Sequence, residues 1–469
     1  MSFAFVAIVV YIMLQLCVGV IVSRRIRTES DYLIAGRRLG YGLATFSIFA
    51  TWFGAETCIG SAGAIYAGGL AEGSSDPFGY GACLLLMATV FAAPLWRRGL
   101  TTLADLFRSR YSPGVERLAV LMMVPTSILW AAAQIRALGQ VLASASGQEA
   151  AVMITLAAGV VIVYSTLGGL MADAVNDLIQ GIVLAVGLLV LLGAVLFSAG
   201  EASLQAVDPA RLRLFGGPGR GLLDELEAWA VPICGSVVAQ ELVSRVLATR
   251  SPVVARRSCF MGASVYLVLG IIPVFIGLIG PQLFPELSDP ETILPLVAQR
   301  MLPPLLYAIF VGGLVAAILS TVDTTLLSAS GLLSHNLVIP LCPPLDERRK
   351  LLISRAGVVA CGLVAYGLAF HAEGVLALVE EASAFGSAGV FVIVVFGLFT
   401  RFGDARSAAA ALGAGMAVWM VASYLAGLRH PYLLSLTTSL MAYVLVALSA
   451  GKRVEPIRAA YTAPDRSFE

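Results

Sequence analysis

The sequence predicts an all-α integral membrane protein with about 13 transmembrane helices. Of its 469 residues, 59% are hydrophobic and only 13% are charged, whereas a soluble domain carries roughly 25% charged residues. The mean hydropathy is +0.90. Apolar runs long enough to cross about 30 Å of hydrocarbon recur along the whole chain.

The composition also excludes other classes of protein. A formal net charge of +1 argues against nucleic-acid binding, which needs a strongly basic surface. The seven cysteines lie mostly in apolar runs without CxxC spacing, so we interpret them as small buried hydrophobic residues. With three histidines, no HExxH motif and no nucleophile–base arrangement, we do not expect an enzyme.

Breaks at charged, proline and glycine residues define the thirteen predicted spans. The first, 2–23, runs directly into Arg24 and Arg25 without a cleavage site, so we expect a retained helix rather than a signal peptide. The other twelve are 40–69, 77–97, 114–145, 149–167, 169–199, 223–249, 258–283, 303–338, 352–371, 375–400, 405–427 and 430–450.

The distribution of basic residues supports this count. With the N-terminus outside, 23 of the 30 lysines and arginines fall in inside loops or the tail, Arg245 among them, and only five in outside loops. We therefore expect a multi-pass protein of the plasma membrane (the inner membrane of a bacterium) with a cytoplasmic C-terminus. One transmembrane domain would cover 1–451, and the tail 452–469 is too short for an attached kinase.

The second span combines an acid with glycines, because Glu56 lies among Gly54, Gly60 and Gly63. A helix interrupted there would free carbonyl groups that bind a cation. The glycines alone would equally serve close helix packing. Packing does not require an acid, so Glu56 favours the interrupted helix.

The ninth span carries Ser320, Asp323 and Thr324 on one helix face, at positions i, i+3 and i+4. Hydroxyl and carboxylate oxygens are the ligands that hard cations prefer. Serine and threonine alone would more often bind their own backbone. The acid beside them therefore favours a cation site.

Two further pairs of residues have alternative interpretations. In the sixth span, we expect Asp173 to lie in a solvated helix start, where the helix dipole favours acids, and Asp177 to be more deeply placed. Trp52 and Trp130 lie inside spans, away from the interfaces where tryptophan is common. They either pack as core residues or form an aromatic box for an ammonium group.

These segments resemble the sodium/solute symporter family along nearly the whole chain. The resemblance begins at Ser30–Leu39, continues through Gly168–Leu170 and Asn176–Gly181, and is strongest at Ala316–Ser330. It implies a LeuT-type core of two inverted five-helix repeats. These would cover about 40–199 and 223–400, with extra helices at 2–23, 405–427 and 430–450.

The resemblance also implies a sodium site. Its ligands would be the carbonyls of Ala50, Phe53 and Ala317 and the hydroxyls of Ser320 and Thr321. Some members of the family bind a second sodium ion near the inside. In this sequence its ligands would be Asp177, Ser320, Asp323 and Thr324.

Within the family, the sequence is most similar to high-affinity choline transporters. Ala50–Trp52 resembles their ATW segment, Trp130–Ala133 their WAAA segment, and Gln240 with Arg245–Leu247 their Q…RVL segment. The tryptophan expected before Gln240 is Ala239 here. The run Ala55–Gly60 is similar instead to the AEQFIG run of bacterial sugar symporters. Thr57 stands at the position where those symporters have a sugar-binding glutamine.

We therefore expect secondary active transport: sodium-coupled symport of a small organic solute, a quaternary amine or another amine-bearing metabolite, by alternating access. The residues predicted to line its cavity are Trp52, Glu56, Thr57, Trp130, Gln134 and Gln240. Glu56 would either pair with a cationic solute or hydrogen-bond to its neighbours as a buried acid.

The alternative functions are a proton-coupled or uncoupled carrier of the same fold, and a sensory membrane module, against which the short tail argues. The expected partners are the solute, sodium ions and the lipid bilayer. We expect no nucleic acid and no obligate protein partner.

Overall fold

The computed structural model describes residues 10, 13, 17, 20–24, 26–205, 207–217, 219–370 and 375–450, and these are mostly helical. The first predicted span, 2–23, lies largely outside the described residues, and so does the tail 452–469. The helices of the first half are α1 Glu29–Ile34, α2 Tyr41–Trp52, α3 Ala62–Gly68, α4 Ser75–Arg97, α5 Ala104–Arg110, α6 Pro113–Ser146 and α7 Ala150–Gln205.

The helices of the second half are α8 Leu222–Val238, α9 Gln240–Leu247, α10 Pro252–Leu283, α11 Ile293–Met301, α12 Pro304–Leu341, α13 Glu347–Ala369, α14 Val375–Ala384, α15 Ser387–Phe399, α16 Ala405–Leu425 and α17 Pro431–Ser449. Several begin with a polar cap before a proline, as at Ser112 and Ser251. The cap hydroxyl accepts a backbone N–H that the helix leaves free, and proline fits the first position.

The count of thirteen spans is not confirmed. In the described part of the chain, eight helices are long and apolar enough to cross a membrane, or up to ten if each of two bent pairs forms one span. The structure assigns the single helix α7 to the predicted spans 149–167 and 169–199. Gly169 within it has a φ of 64°, a left-handed conformation that glycine adopts without strain.

Within the described ranges, three helical segments are interrupted, and two of them carry predicted site residues. The helix α2 ends at Trp52 and helical structure resumes at Glu56, so the predicted interruption of the second span is confirmed. The helices α8 and α9 meet at Ala239 with a bend of 45°, and α14 and α15 are bent by 43°.

The helix α12 lies at the centre of the molecule. It packs against α6, α7 and α13, and every residue from Phe310 to Gly331 is buried. The helix α10 packs against α2, α3 and α4, whereas α16 and α17 pack on one another and on α15. The central helix therefore carries its polar residues into the interior, beside the break that follows α2.

Candidate functional site

The break after α2 faces α12. The hydroxyl of Thr321 donates to the carbonyl of Ala317 at 3.2 Å and lies 3.3 Å from the carbonyl oxygen of Ala50. A Cβ atom on Gly54 would lie only 2.7 Å from the same hydroxyl. Three of the five predicted sodium ligands therefore converge, and the glycine allows this close approach.

Ser320 lies beside this convergence but points toward Asp177. Its hydroxyl donates to one carboxylate oxygen of Asp177, and Ser47 donates to the other at 2.6 Å. All three side chains are buried. Phe53, the remaining predicted ligand, is the C-cap residue that follows α2, where helix carbonyls lack intrahelical donors.

A fully buried arginine lies beside the second predicted ion site. Arg245 donates to the carboxylate of Asp173 and to the hydroxyl of Thr324, and it lies 3.9 Å from Asp177. Two sequence interpretations are wrong here. Arg245 does not lie in an inside loop, and Asp173 is not in a solvated helix start. The bend at Ala239 places α9 in the interior, where its arginine meets the acid.

The charges of this cluster do not balance. Three buried carboxylates, Asp173, Asp177 and Asp323, face the single guanidinium of Arg245. Among the described residues, neither carboxylate oxygen of Asp323 has a hydrogen-bond partner. Burying an uncompensated charge is costly, so cations or protons must balance the excess. The oxygen donors present fit sodium.

A buried aromatic stack lies next to the break. The rings of Trp52 and Trp130 are 4.4 Å apart and nearly parallel, and the ring of Tyr80 also stacks on Trp52, at 5.6 Å. Trp52 is 0% exposed and Trp130 is 1% exposed. The faces of such rings attract cations.

Two buried acids flank this stack. Glu56 accepts a hydrogen bond from Gln134 at 2.6 Å, and its other carboxylate oxygen has no partner among the described residues. Asp76 accepts from Thr57 at 2.8 Å and from Tyr266 at 2.7 Å. Neither acid forms an ion pair within the described ranges.

The structure brings together five of the six predicted cavity residues, namely Trp52, Glu56, Thr57, Trp130 and Gln134. Gln240 is the exception, because its side-chain oxygen accepts the backbone N–H of Leu103 at 2.8 Å. Sequence reasoning missed Asp76, Tyr80 and Tyr266. Asp76 immediately precedes a proline at the predicted start of a span, so it resembles an ordinary loop acid.

A cavity of about 610 Å³ opens on the face predicted to lie outside. Ser75, the neighbour of Asp76, belongs to its lining and donates to Glu380 at 3.0 Å. Tyr424 donates to Glu381 on the same wall. The cavity therefore reaches from the predicted outer face to the residue that precedes Asp76.

A polar network closes the face predicted to lie inside. Nitrogen atoms of His335 lie 3.0 Å from Glu29 and 3.4 Å from Asp105. Asn336 donates to Asp105 at 2.9 Å and to Glu116 at 2.8 Å. Burial acts to raise the pKa of Asp105, but hydrogen bonds from His335 and two backbone amides hold that pKa below its usual value.

Comparisons with known proteins identify the family of this chain. Residues 32–415 match the sodium:solute symporter family, and the chain belongs to that family. The family predicted from the sequence is therefore confirmed. Its members are transporters that use sodium as the coupling ion, so the chain is a multi-pass membrane transporter and not an enzyme.

Several relatives are individually similar. High-affinity choline transporter 1 of Caenorhabditis elegans is 26% identical over 409 residues, which are 80% of this chain and 69% of that protein. Human high affinity choline transporter 1 is 27% identical over 361 residues, 71% of this chain but only 61% of the human protein. Human sodium-coupled monocarboxylate transporter 1 is 26% identical over 415 residues, 84% of this chain and 68% of that protein.

Solved structures share the fold. The substrate-bound, outward-open structure of a Na⁺-coupled sialic acid symporter matches with a TM-score of 0.84 at 18% identity, covering 96% of this chain and 98% of that one. A nucleobase-cation-symport-1 family transporter in a closed conformation matches with a TM-score of 0.61 at 15% identity, covering 91% and 95%. The predicted all-α fold with a LeuT-type core is confirmed.

Proposed function

We propose that this protein carries an organic amine together with sodium across the plasma membrane by alternating access, with its N-terminus outside and its C-terminus in the cytoplasm. The observation that carries the proposal is the buried Trp52–Trp130 stack beside Glu56 and Asp76. Aromatic faces and carboxylates both attract an ammonium group. The similarity to choline transporters supports the same solute class.

The proposed sodium ion is bound by Ala50, Phe53, Ala317, Ser320 and Thr321. It would join the end of α2 to α12, because Ala50 and Thr321 come from these two helices. Sodium moving down a membrane potential gains about 2.3 kcal/mol per 100 mV. Its loss to the cytoplasm would release α2 from α12, and the solute would follow.

A second sodium ion is proposed at Asp177, Ser320, Asp323 and Thr324. Its support is the excess of buried carboxylates over the guanidinium of Arg245. Ser320 is common to both ligand sets, so the two ions would bind cooperatively or exclude one another, depending on which way this hydroxyl turns.

Proton coupling is a second candidate function. It is favoured by the unpartnered carboxylate oxygens of Glu56 and Asp323, because a buried acid without a donor is stabilised by protonation. Sodium-stimulated uptake that does not vary with pH would exclude this candidate.

For the internal organisation, we propose two inverted repeats over about 40–199 and 223–400. Each repeat begins with an interrupted helix, at Phe53 in the first and at Ala239 in the second. A pair of interrupted helices in corresponding positions is the usual arrangement around a transporter's binding site.

Uptake of radiolabelled choline into proteoliposomes, with sodium, lithium or potassium outside, tests the proposal. We expect sodium to stimulate uptake and a positive-inside potential to inhibit it. A thermal-shift screen of amines, amino acids, sugars and carboxylates with and without sodium broadens the test. Sodium-dependent stabilisation by sugars or carboxylates alone would contradict an amine solute.

A further inference from the structure

Glu241 is a buried acid that the proposed sodium and ammonium sites do not use. It is 1% exposed and lies in the first turn of α9, beside the bend at Ala239. Among the described residues, neither of its carboxylate oxygens accepts a hydrogen bond of good geometry, and the hydroxyl of Ser127 is the side-chain donor that interacts with it. Arg245, one turn further along the helix, is paired with Asp173 instead.

A small cavity lies against this acid. Glu241, Ala239, Ser127 and Ser387 are among its lining residues, and its volume is about 20 Å³. Such a volume holds one water molecule or a primary ammonium group of similar size. Ala239 widens the cavity, because the choline-transporter pattern places a tryptophan at this position.

The cavity lies one helical turn from the aromatic stack, on the side of the predicted inner face. On α6, Ser127 of the cavity, Trp130 of the stack and Gln134, the partner of Glu56, follow one another at successive turns. Seven residues of helix span about 10 Å. Carboxylates therefore lie on both sides of the aromatic layer, Glu56 and Asp76 outward and Glu241 inward.

A solute with a single positive charge would leave this arrangement unbalanced. None of these three acids forms an ion pair within the described part of the chain. A quaternary ammonium group has no N–H to donate, whereas a primary ammonium group donates three hydrogen bonds. Charge-assisted hydrogen bonds to carboxylates are about twice as strong as neutral ones.

We infer that the solute is a diamine with a short alkyl chain between its two ammonium groups. One ammonium binds at Glu56 and Asp76, the methylene groups pack against Trp52 and Trp130, and the second ammonium binds at Glu241. A chain of four or five carbons spans the two turns that separate the acids. This inference rests on the proposed function, sodium-coupled amine transport.

Thermal-shift titrations of the purified full-length protein in sodium test the inference, with cadaverine, its monoamine counterpart pentylamine, and choline as probes. We expect cadaverine to bind at least about tenfold more tightly than pentylamine, which corresponds to about 1.4 kcal/mol. Glu241→Gln should abolish this difference while leaving pentylamine binding in place. The matched control, Glu286→Gln, alters an exposed acid and should preserve the difference.

Equal binding of cadaverine and pentylamine by the wild-type protein would overturn the inference, and so would a cadaverine preference that survives in Glu241→Gln. Sodium-dependent binding of choline alone would also overturn it while leaving the proposed function intact. Failure of all amines to bind in sodium would count against the proposed function itself.

Two further measurements keep the inference testable if Glu241→Gln does not fold. In the wild-type protein, affinity across diamines of three to eight carbons should peak at four or five, and a flat series would overturn the inference. Ala239→Trp should fill the small cavity and remove the preference for diamines over choline. An unchanged preference in this variant would equally overturn it.

Discussion

Arg245 and Asp173 form an ion pair in which both side chains are 0% exposed. The pair joins α9 to α7, and Thr324 of α12 hydrogen-bonds to both partners. One helix of the first predicted repeat, α7, and two helices of the second, α9 and α12, therefore meet at one guanidinium. Asp177, at 3.9 Å from the same guanidinium, connects this ion pair to the proposed sodium site through Ser320.

Removing the arginine should destabilise the fold strongly. Arg245→Gln leaves buried carboxylates without their cation, and the expected loss is about 3–5 kcal/mol of unfolding free energy. Thermal unfolding in detergent measures it, with the exposed Arg257→Gln as the matched control. Adding Asp173→Asn should recover part of the loss. Unchanged stability in Arg245→Gln would show that the pair is not structural.

The sodium site predicts a difference between neighbouring hydroxyls on α12. Thr321→Ala and Ser320→Ala should each raise the half-saturating sodium concentration at least about tenfold, the cost of one lost charge-assisted contact of about 1.4 kcal/mol or more. Thr325→Ala is the control, because its hydroxyl donates to the backbone of Val322 at 2.8 Å. Sodium activation of uptake measures all three, and unchanged activation in the first two would exclude this site.

The close approach at Gly54 predicts the effect of one added methyl group. In Gly54→Ala the new Cβ would lie 2.7 Å from the Thr321 hydroxyl, so α12 or the break would have to move. We expect sodium-stimulated uptake to fall at least about tenfold, which corresponds to about 1.4 kcal/mol, while the protein still folds. Gly413→Ala is a control, because a Cβ there meets no atom within 4 Å. Normal sodium dependence in Gly54→Ala would contradict the close contact.

The aromatic stack predicts a graded response to substitution. Trp52→Phe should weaken amine binding by roughly 0.5–2 kcal/mol, because phenylalanine is a poorer cation–π partner, and Trp52→Ala should weaken it further. Trp229→Phe is the control, since the ring of Trp229 packs on Phe215 and does not belong to the Trp52–Trp130 stack. Thermal-shift titration with choline or cadaverine measures the change. Equal binding by the three tryptophan variants would place the solute elsewhere.

The polar network around His335 and Asp105 implies that the stability of the protein depends on pH. The folded-state pKa of Asp105 is lowered, so its stabilising contribution is present above the unfolded value of about 3.9 and is lost as the pH falls through the folded pKa. Asp105→Asn should therefore cost about 1.5–3 kcal/mol at pH 7 and less below pH 4. Melting curves at both pH values, with Glu286→Gln as control, measure it. A cost independent of pH would contradict the ionised network.

The sequence predicted the parts of the site that depend on residue type within a span. Trp52 and Trp130 are unusual at mid-membrane, and the glycines around Glu56 indicated a broken helix. Both predictions depend on local chemistry, which periodicity and composition reveal. Each tryptophan could be singled out from its own span, because a tryptophan in the middle of a membrane helix is unusual. Their separation along the chain therefore did not prevent the prediction.

The positions of the residues that the sequence did not predict correctly depend on where helices bend and end in three dimensions. Arg245 was assigned to a loop because a charge ordinarily ends an apolar run, yet the bend at Ala239 leaves it in the interior. Asp76 was overlooked at the edge of a span for the same reason. Gln240 shows the reverse case, because its side chain turns to Leu103. Tertiary placement of this kind is not contained in the local pattern.

The direct contact between Trp52 and Trp130 also has a consequence for the ion gradients across the membrane. Two rings stacked at 4.4 Å form an apolar barrier in the interior, and hydrophobic constrictions oppose the passage of ions. A barrier of this kind limits ion leakage, so a membrane that holds many copies of the protein can keep its electrochemical gradient.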